Sequence, residues 1–118
     1  MNRREARNKR MVLVTCPSVA VARKIARAVV GKRLAACVNT ILSPVESVYT
    51  WKGEVERARE YLLVMKTTAK RLAELEKEVA RLHSYDVPEF VALPITEGSR
   101  EYFSWMDESV SKARKNRK

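Results

Sequence analysis

The sequence predicts an α+β sandwich whose elements run β-α-β-β-α-β, with one short helix added at the end. Three observations carry that prediction. Two segments with helical apolar stripes, after Ser18 and after Thr68, alternate with runs that read as strands. One extended run, Glu54 to Thr67, has no breaker and exceeds twice the usual strand length of about five or six residues. Finally, Met11–Cys16, Tyr61–Met65 and Val91–Ile95 are apolar on both alternating faces, so both faces need a cover.

In chain order, Met11 to Cys16 is a short apolar strand ended by Pro17. Ser18 is placed to cap a helix with Val21, Ile25, Ala28 and Val29 on one face, and Gly31 is placed to stop it. A long ribbon follows, from Leu34 to Thr67. Its first arm is apolar over Leu34–Val38, is interrupted at Ser43-Pro44 and resumes from Val45 to Trp51. It turns at Lys52-Gly53. The second arm is charged from Glu54 to Glu60 and apolar from Tyr61 to Met65, dry at its base and wet at its tip. Thr68 is placed to cap a second helix, with Leu72, Leu75, Val79 and Leu82 inward and Lys70, Glu74, Lys77, Glu78 and Arg81 outward. His83 to Glu89 is a polar connection. Phe90 to Thr96 is the last strand, and Pro94 confines it to an edge or a bulge. Gly98-Ser99 starts a final helix, Arg100 to about Val110.

This is the ferredoxin-like plan, with a long protruding hairpin between its second and third strands. Right-handed crossovers put both main helices on one face of the sheet. One short terminal helix is too small to cover the other face, so association of subunits through bare sheet faces is expected.

The 118 residues are enough for one domain, and the formal net charge is +10. Residues 1–10 and 111–118 carry nine of those ten charges and read as basic flexible tails around a single domain spanning 11–110. The near-neutral body leaves only the tails for weak, unspecific polyanion contact, so no specific nucleic-acid partner is expected. No apolar stretch is long enough to cross a membrane, no membrane partner is expected, and Cys16 and Cys37 lack a CxxC spacing. The default is a cytoplasmic protein with reduced thiols.

Enzyme chemistry finds no support. The Cys16-Pro17-Ser18-Val19 turn has no glycine for a phosphate cradle, and the single histidine has no nucleophile in context. Cys16, at a strand end, is expected to be accessible, and thiolate with the imidazole of His83 suits copper or zinc. His83 serves equally well as a partner of a helix C-terminus. Cys37, inside a strand, is expected to be buried and silent. Trp51 and Trp105 read as packing and interface anchors. Lys66 and Glu89 leave two readings open, a buried ion pair or two walls of a cleft.

Several segments resemble the CutA divalent-cation tolerance proteins: Val14-Thr-Cys-Pro17, Arg33-Leu-Ala-Ala-Cys-Val-Asn39, Ser47-Val-Tyr-Thr-Trp-Lys-Gly-Glu54, His83-Ser-Tyr-Asp-Val-Pro-Glu89, Ala92-Leu-Pro-Ile95 and Tyr102-Phe-Ser-Trp105. The resemblance covers Val12 to about Val110. It implies a homotrimer of ferredoxin-like subunits with inward-facing sheets and hairpins, tipped by Trp51, Lys52 and Gly53, that grip neighbours. It also implies a role in divalent cation (copper) tolerance, with Cys16, beside the position of the family's thiol, and His83 as the metal residues, although the family's histidine pair is here His83-Ser84. A metal ion or small ligand would sit in clefts between subunits, bordered by Cys37, Lys66, Tyr85, Glu89 and Trp105. The alternative is a PII-like trimeric signalling or protein-interaction scaffold with incidental metal binding.

Overall fold

The computed structural model describes residues 3–112. A short helix α1 (Arg3–Ala6) leads into β1 (Lys9–Cys16), then α2 (Val19–Gly31), β2 (Cys37–Thr40), β3 (Val45–Trp51), β4 (Glu54–Thr68), α3 (Leu72–Leu82), β5 (Val91–Pro94) and α4 (Arg100–Val110). The sheet runs β2-β4-β1-β5, with β3 paired to the distal half of β4. All pairings are antiparallel, which is the ferredoxin-like arrangement. Strand β4 has 15 residues, and only its inner half has β1 as a neighbour. The outer half forms a two-stranded ribbon with β3, and the molecule is accordingly 49 Å long but 24 Å thick.

The tip is a two-residue turn with Lys52 at φ 53 and Gly53 at φ 83. Both central residues in the left-handed region make the primed turn whose twist matches antiparallel strands. Glycine reaches that region without steric cost, and lysine at the first position carries the strain.

Alternation along the strands sorts the two sheet faces. Val12, Val14 and Cys16 of β1, with Leu63 and Met65 of β4, pack beneath Ala22, Ile25 and Val29 of α2 and Leu75 and Val79 of α3. On the opposite face a smaller cluster of Ala6, Ala36, Phe103, Met106 and Val110 lies under α4. The rest of that face is bare: Leu13 aligns with Val64 and Val91, Met11 aligns with Leu93, and Val91 and Leu93 stay exposed.

Several local expectations are corrected. Residues 5–10 belong to the fold rather than to a tail. Ala6 and Lys9 are buried, and the Lys9 ammonium donates to Glu5 O (2.8 Å) and Asn8 Oδ1 (2.7 Å) and pairs with Asp107 at 3.2 Å. A buried ammonium with three oxygen partners has its charge met, which is how a lysine enters a core. Of the C-terminal tail, residues 113–118 lie outside the described residues.

Gly31 is the last residue of α2 and not its left-handed stop; Arg33 takes that role at φ 62. Its side chain explains why: Nε donates to Ser111 O (2.6 Å) and Nη2 to Glu108 O (2.9 Å), closing the end of α4. That turn also delays β2 to Cys37, so Leu34, Ala35 and Ala36 are buried but not strand.

Thr68 makes no side-chain cap. A 3₁₀ turn over Ala69–Arg71 precedes α3 instead, and buried Arg71 donates to Val110 O at 2.7 Å. Glu78 faces inward, held between Lys32 (3.0 Å) and Arg81 (2.6 Å), and these two cations lower its pKa to about 2. The last strand is shorter than expected and Pro94 sits on the sheet edge, where its missing N–H costs no ladder bond.

Gly98 has a packing reason to be glycine. A Cβ there would lie 2.5 Å from Cζ of the buried Phe103 ring. Gly98→Ala is expected to destabilise the fold by about 1–3 kcal/mol through overpacking, measured by urea unfolding. An unchanged midpoint would show that the ring has room to move.

Candidate functional site

Where the ribbon leaves the sheet, a groove of about 750 Å³ opens between β3, the end of β1 and the connection after α3. Its walls carry Tyr49 and Trp51 from β3, Thr15 from β1, Glu60 from β4, and Tyr85, Asp86 and Glu89 from the connection. Each is placed by a local rule. Thr15 points to the bare face because Val14 and Cys16 point to the helices. Glu60 sits where the charged half of β4 meets its apolar half, opposite Val45.

Glu60 is buried, and its Oε2 accepts from the Tyr85 hydroxyl at 2.8 Å. Burial, then the hydrogen bond and charge of Glu60, push the Tyr85 phenol well above its ordinary value. Thr15 Oγ1 donates to Glu89 Oε1 at 3.4 Å. The groove is therefore a negative recess walled by aromatic rings, with its phenol protonated.

His83 stands behind this wall. Its Nδ1 accepts from the Tyr85 N–H at 3.1 Å, which leaves Nε2 to carry the proton and donate to Thr15 O at 2.7 Å. Its ring also packs on Tyr85 at 4.7 Å. Both nitrogens are thus engaged, and no lone pair is left for a metal. Cys16 is fully buried in the helix-side core, and burial, followed by Glu60, raises its thiol to about 11. Within the subunit, the buried Cys16 thiol and the doubly hydrogen-bonded His83 imidazole present no open donor pair to a metal. Among the described residues no group of three or more His, Cys, Asp and Glu side chains is disposed around a cation.

The sign of the Cys16 shift gives a stability prediction. A folded thiol that holds its proton up to about pH 11 contributes stability at neutral pH, and that stability is lost as pH rises from about 9 to about 11. Wild type should lose stability across that window relative to Cys16→Val, measured by urea unfolding at each pH. Parallel curves for the two proteins would contradict the burial argument.

The two cysteines exchange their expected roles. Cys37 is only half-buried and lies on the bare face, beside Lys66 across the β2–β4 ladder. Lys66 Nζ donates to Asn39 Oδ1 at 2.6 Å. The Tyr102 ring packs at a tilt of 41° on Trp105, with centroids 5.3 Å apart, and burial first and the neighbouring Cys37 second raise the Tyr102 phenol. Within one subunit the five residues expected to border an inter-subunit cleft lie in different places. Tyr85 and Glu89 line the groove, whereas Cys37 and Lys66 lie toward the other end of the bare face. Lys66 aligns with Met11 and Glu89 bonds Thr15, about 13 Å apart along β1, so the two form no ion pair. Trp105 borders a separate recess with Arg33 and Glu108. Trp51 lines the outer end of the groove, and the Lys52-Gly53 tip beyond it is exposed at the far end of the ribbon.

Sequence reasoning missed Thr15, Tyr49, Asp86 and, most consequentially, Glu60. Glu60 reads as the last charge of a wet strand, and the signal that could have singled it out is its position at the polarity boundary of β4.

Comparison with known proteins completes the picture. A family model described as "CutA1 divalent ion tolerance protein" matches residues 10–109. The chain is 52% identical over 100 residues to the divalent-cation tolerance protein CutA of Thermus thermophilus, covering 85% of this chain and 96% of that one. The solved structure of the Cut A1 protein from that organism superposes with a TM-score of 0.85 at 50% identity, covering 87% of this chain and 99% of that one. A structure from Archaeoglobus fulgidus, described as a periplasmic divalent cation tolerance protein CutA, gives a TM-score of 0.84 at 38% identity over 87% and 99% of the two chains.

Proposed function

This chain belongs to the CutA1 divalent ion tolerance family, and we propose that it acts as a homotrimer in the response to divalent cations, copper among them. The bound ion or small ligand lies in clefts between subunits. The observation that carries the reading is the bare apolar sheet face beside a ribbon too long for its own subunit. Val48, Tyr49, Trp51 and Val55 on the ribbon are all exposed, and an isolated two-stranded ribbon is marginal in water. A neighbouring sheet that covers Leu13, Val64 and Val91 and supports the ribbon removes both liabilities.

Within that assembly the Glu60–Tyr85–Glu89 groove is the cation site. One chain supplies too few donors, and a second chain across the cleft completes the set. Oxygen donors follow the Irving–Williams order, so Cu(II) binds more tightly than Zn(II). Cys16 and His83 hold the groove's back wall and do not touch the ion.

The experiment is a Cu(II) and Zn(II) titration of the reduced protein and of Glu60→Gln/Glu89→Gln, each with its assembly mass checked. At least a tenfold loss of copper affinity in the variant supports the site. Unchanged affinity in an intact assembly would reject it and favour a signalling scaffold.

A further inference from the structure

Helix α2 contains three cations, Arg23, Lys24 and Arg27, and no carboxylate. Its buried side is Ala22, Ile25 and Val29. At about 100° per residue the three cations fall within an arc of about 100° centred directly opposite that side. All three are exposed, and among the described residues none has a carboxylate within pairing distance; Lys32 and Arg81 share Glu78 instead. The near-neutral charge of residues 11–110 therefore includes an uncompensated cationic stripe on α2.

The foot of α2 lies against the end of α4. Lys32 follows the helix, and Arg33 holds Ser111 O at 2.6 Å, so the chain leaves α4 beside the foot of α2. Because α2 lies on the helix side of the sheet, covering the bare face in an assembly leaves this surface pointing outward.

We infer that the outer face of α2 docks on the phosphate backbone of duplex nucleic acid without reading its sequence. Two arginines and a lysine on one outward face suit phosphate oxygens, since guanidinium forks pair with them at two points. The helix offers no aromatic ring for stacking on single-stranded bases. Val30 is its only large exposed apolar residue, too little for a helix lying in a bilayer surface. Duplex DNA, with one charge per about 1.7 Å, is the densest anion such a stripe can meet.

The test is fluorescence anisotropy of a short labelled DNA duplex with the full chain across a salt series. The comparison is with Arg23→Gln/Lys24→Gln/Arg27→Gln, whose melting curve and mass are matched to wild type. Each lost phosphate contact removes about 0.9 from the slope of log K against log salt, so the triple variant should lose about 2–3 and bind at least tenfold more weakly at about 0.1 M salt. Arg23→Lys/Arg27→Lys should keep the slope. Should the triple variant fail to fold, Arg27→Gln alone should lose about 0.9. Three results overturn the inference: equal slopes and affinities in wild type and the glutamine variants, no duplex binding by wild type at low salt, or binding to phosphatidylserine vesicles but not to duplex.

Discussion

Leu13→Glu should take the assembly apart while leaving the subunit folded. Leu13 points away from the helices, since Val12 and Val14 on either side of it fill the helix-side core. It aligns with Val64 on β4 and Val91 on β5, at the centre of the bare face. In an isolated subunit a carboxylate there remains in water and disturbs little. In an assembly it is desolvated against apolar side chains, at a cost of several kcal/mol. Subunit association should weaken by at least a hundredfold, about 3 kcal/mol, seen as loss of the high-mass species at micromolar concentration. Circular dichroism should retain the secondary structure. A variant that assembles like wild type would place the interface elsewhere.

His83→Ala should cost stability without touching copper. The substitution removes the acceptor of the Tyr85 N–H and the donor to Thr15 O, and it leaves a void where the imidazole packs on Tyr85. Two polar groups in a closed environment lose their partners, at about 1–3 kcal/mol each when water does not replace them. An overall loss of about 2–4 kcal/mol is expected, read from urea unfolding. Copper affinity of the still-assembled variant should stay within experimental spread of wild type. A selective loss of copper affinity at undiminished stability would restore His83 as a ligand.

Much of this architecture was legible in the chain. The long β4, the Lys52-Gly53 turn, the Ser18 cap, the interruption at Ser43-Pro44 and the edge position of Pro94 follow from local rules of period, cap and proline, and the structure has all of them. What escaped was decided by contacts between distant segments. Lys9 enters the core only because Asp107 and two oxygens near α1 meet it. Arg33 replaces glycine at a left-handed position because α4 offers it two carbonyls. Glu78 turns inward because Lys32 and Arg81 flank it.

The candidate site was less legible, for a related reason. Residue type suggested Cys16 and His83, but a donor must also have a free lone pair and an open path. The bonds to Thr15 and Tyr85 consume the first, and burial closes the second. Glu60 gained its role from Tyr85, a partner remote in sequence that strand alternation alone does not reveal.

The bare face of the sheet requires a cover, and a trimer supplies it. Light scattering of the reduced protein, diluted to low micromolar concentration, tests that directly. The expected mass is three times the 13.5 kDa of one chain, unchanged on further dilution until the subunits unfold. A mass of one chain under those conditions would contradict the trimer, the inter-subunit cleft and the reading of the groove together.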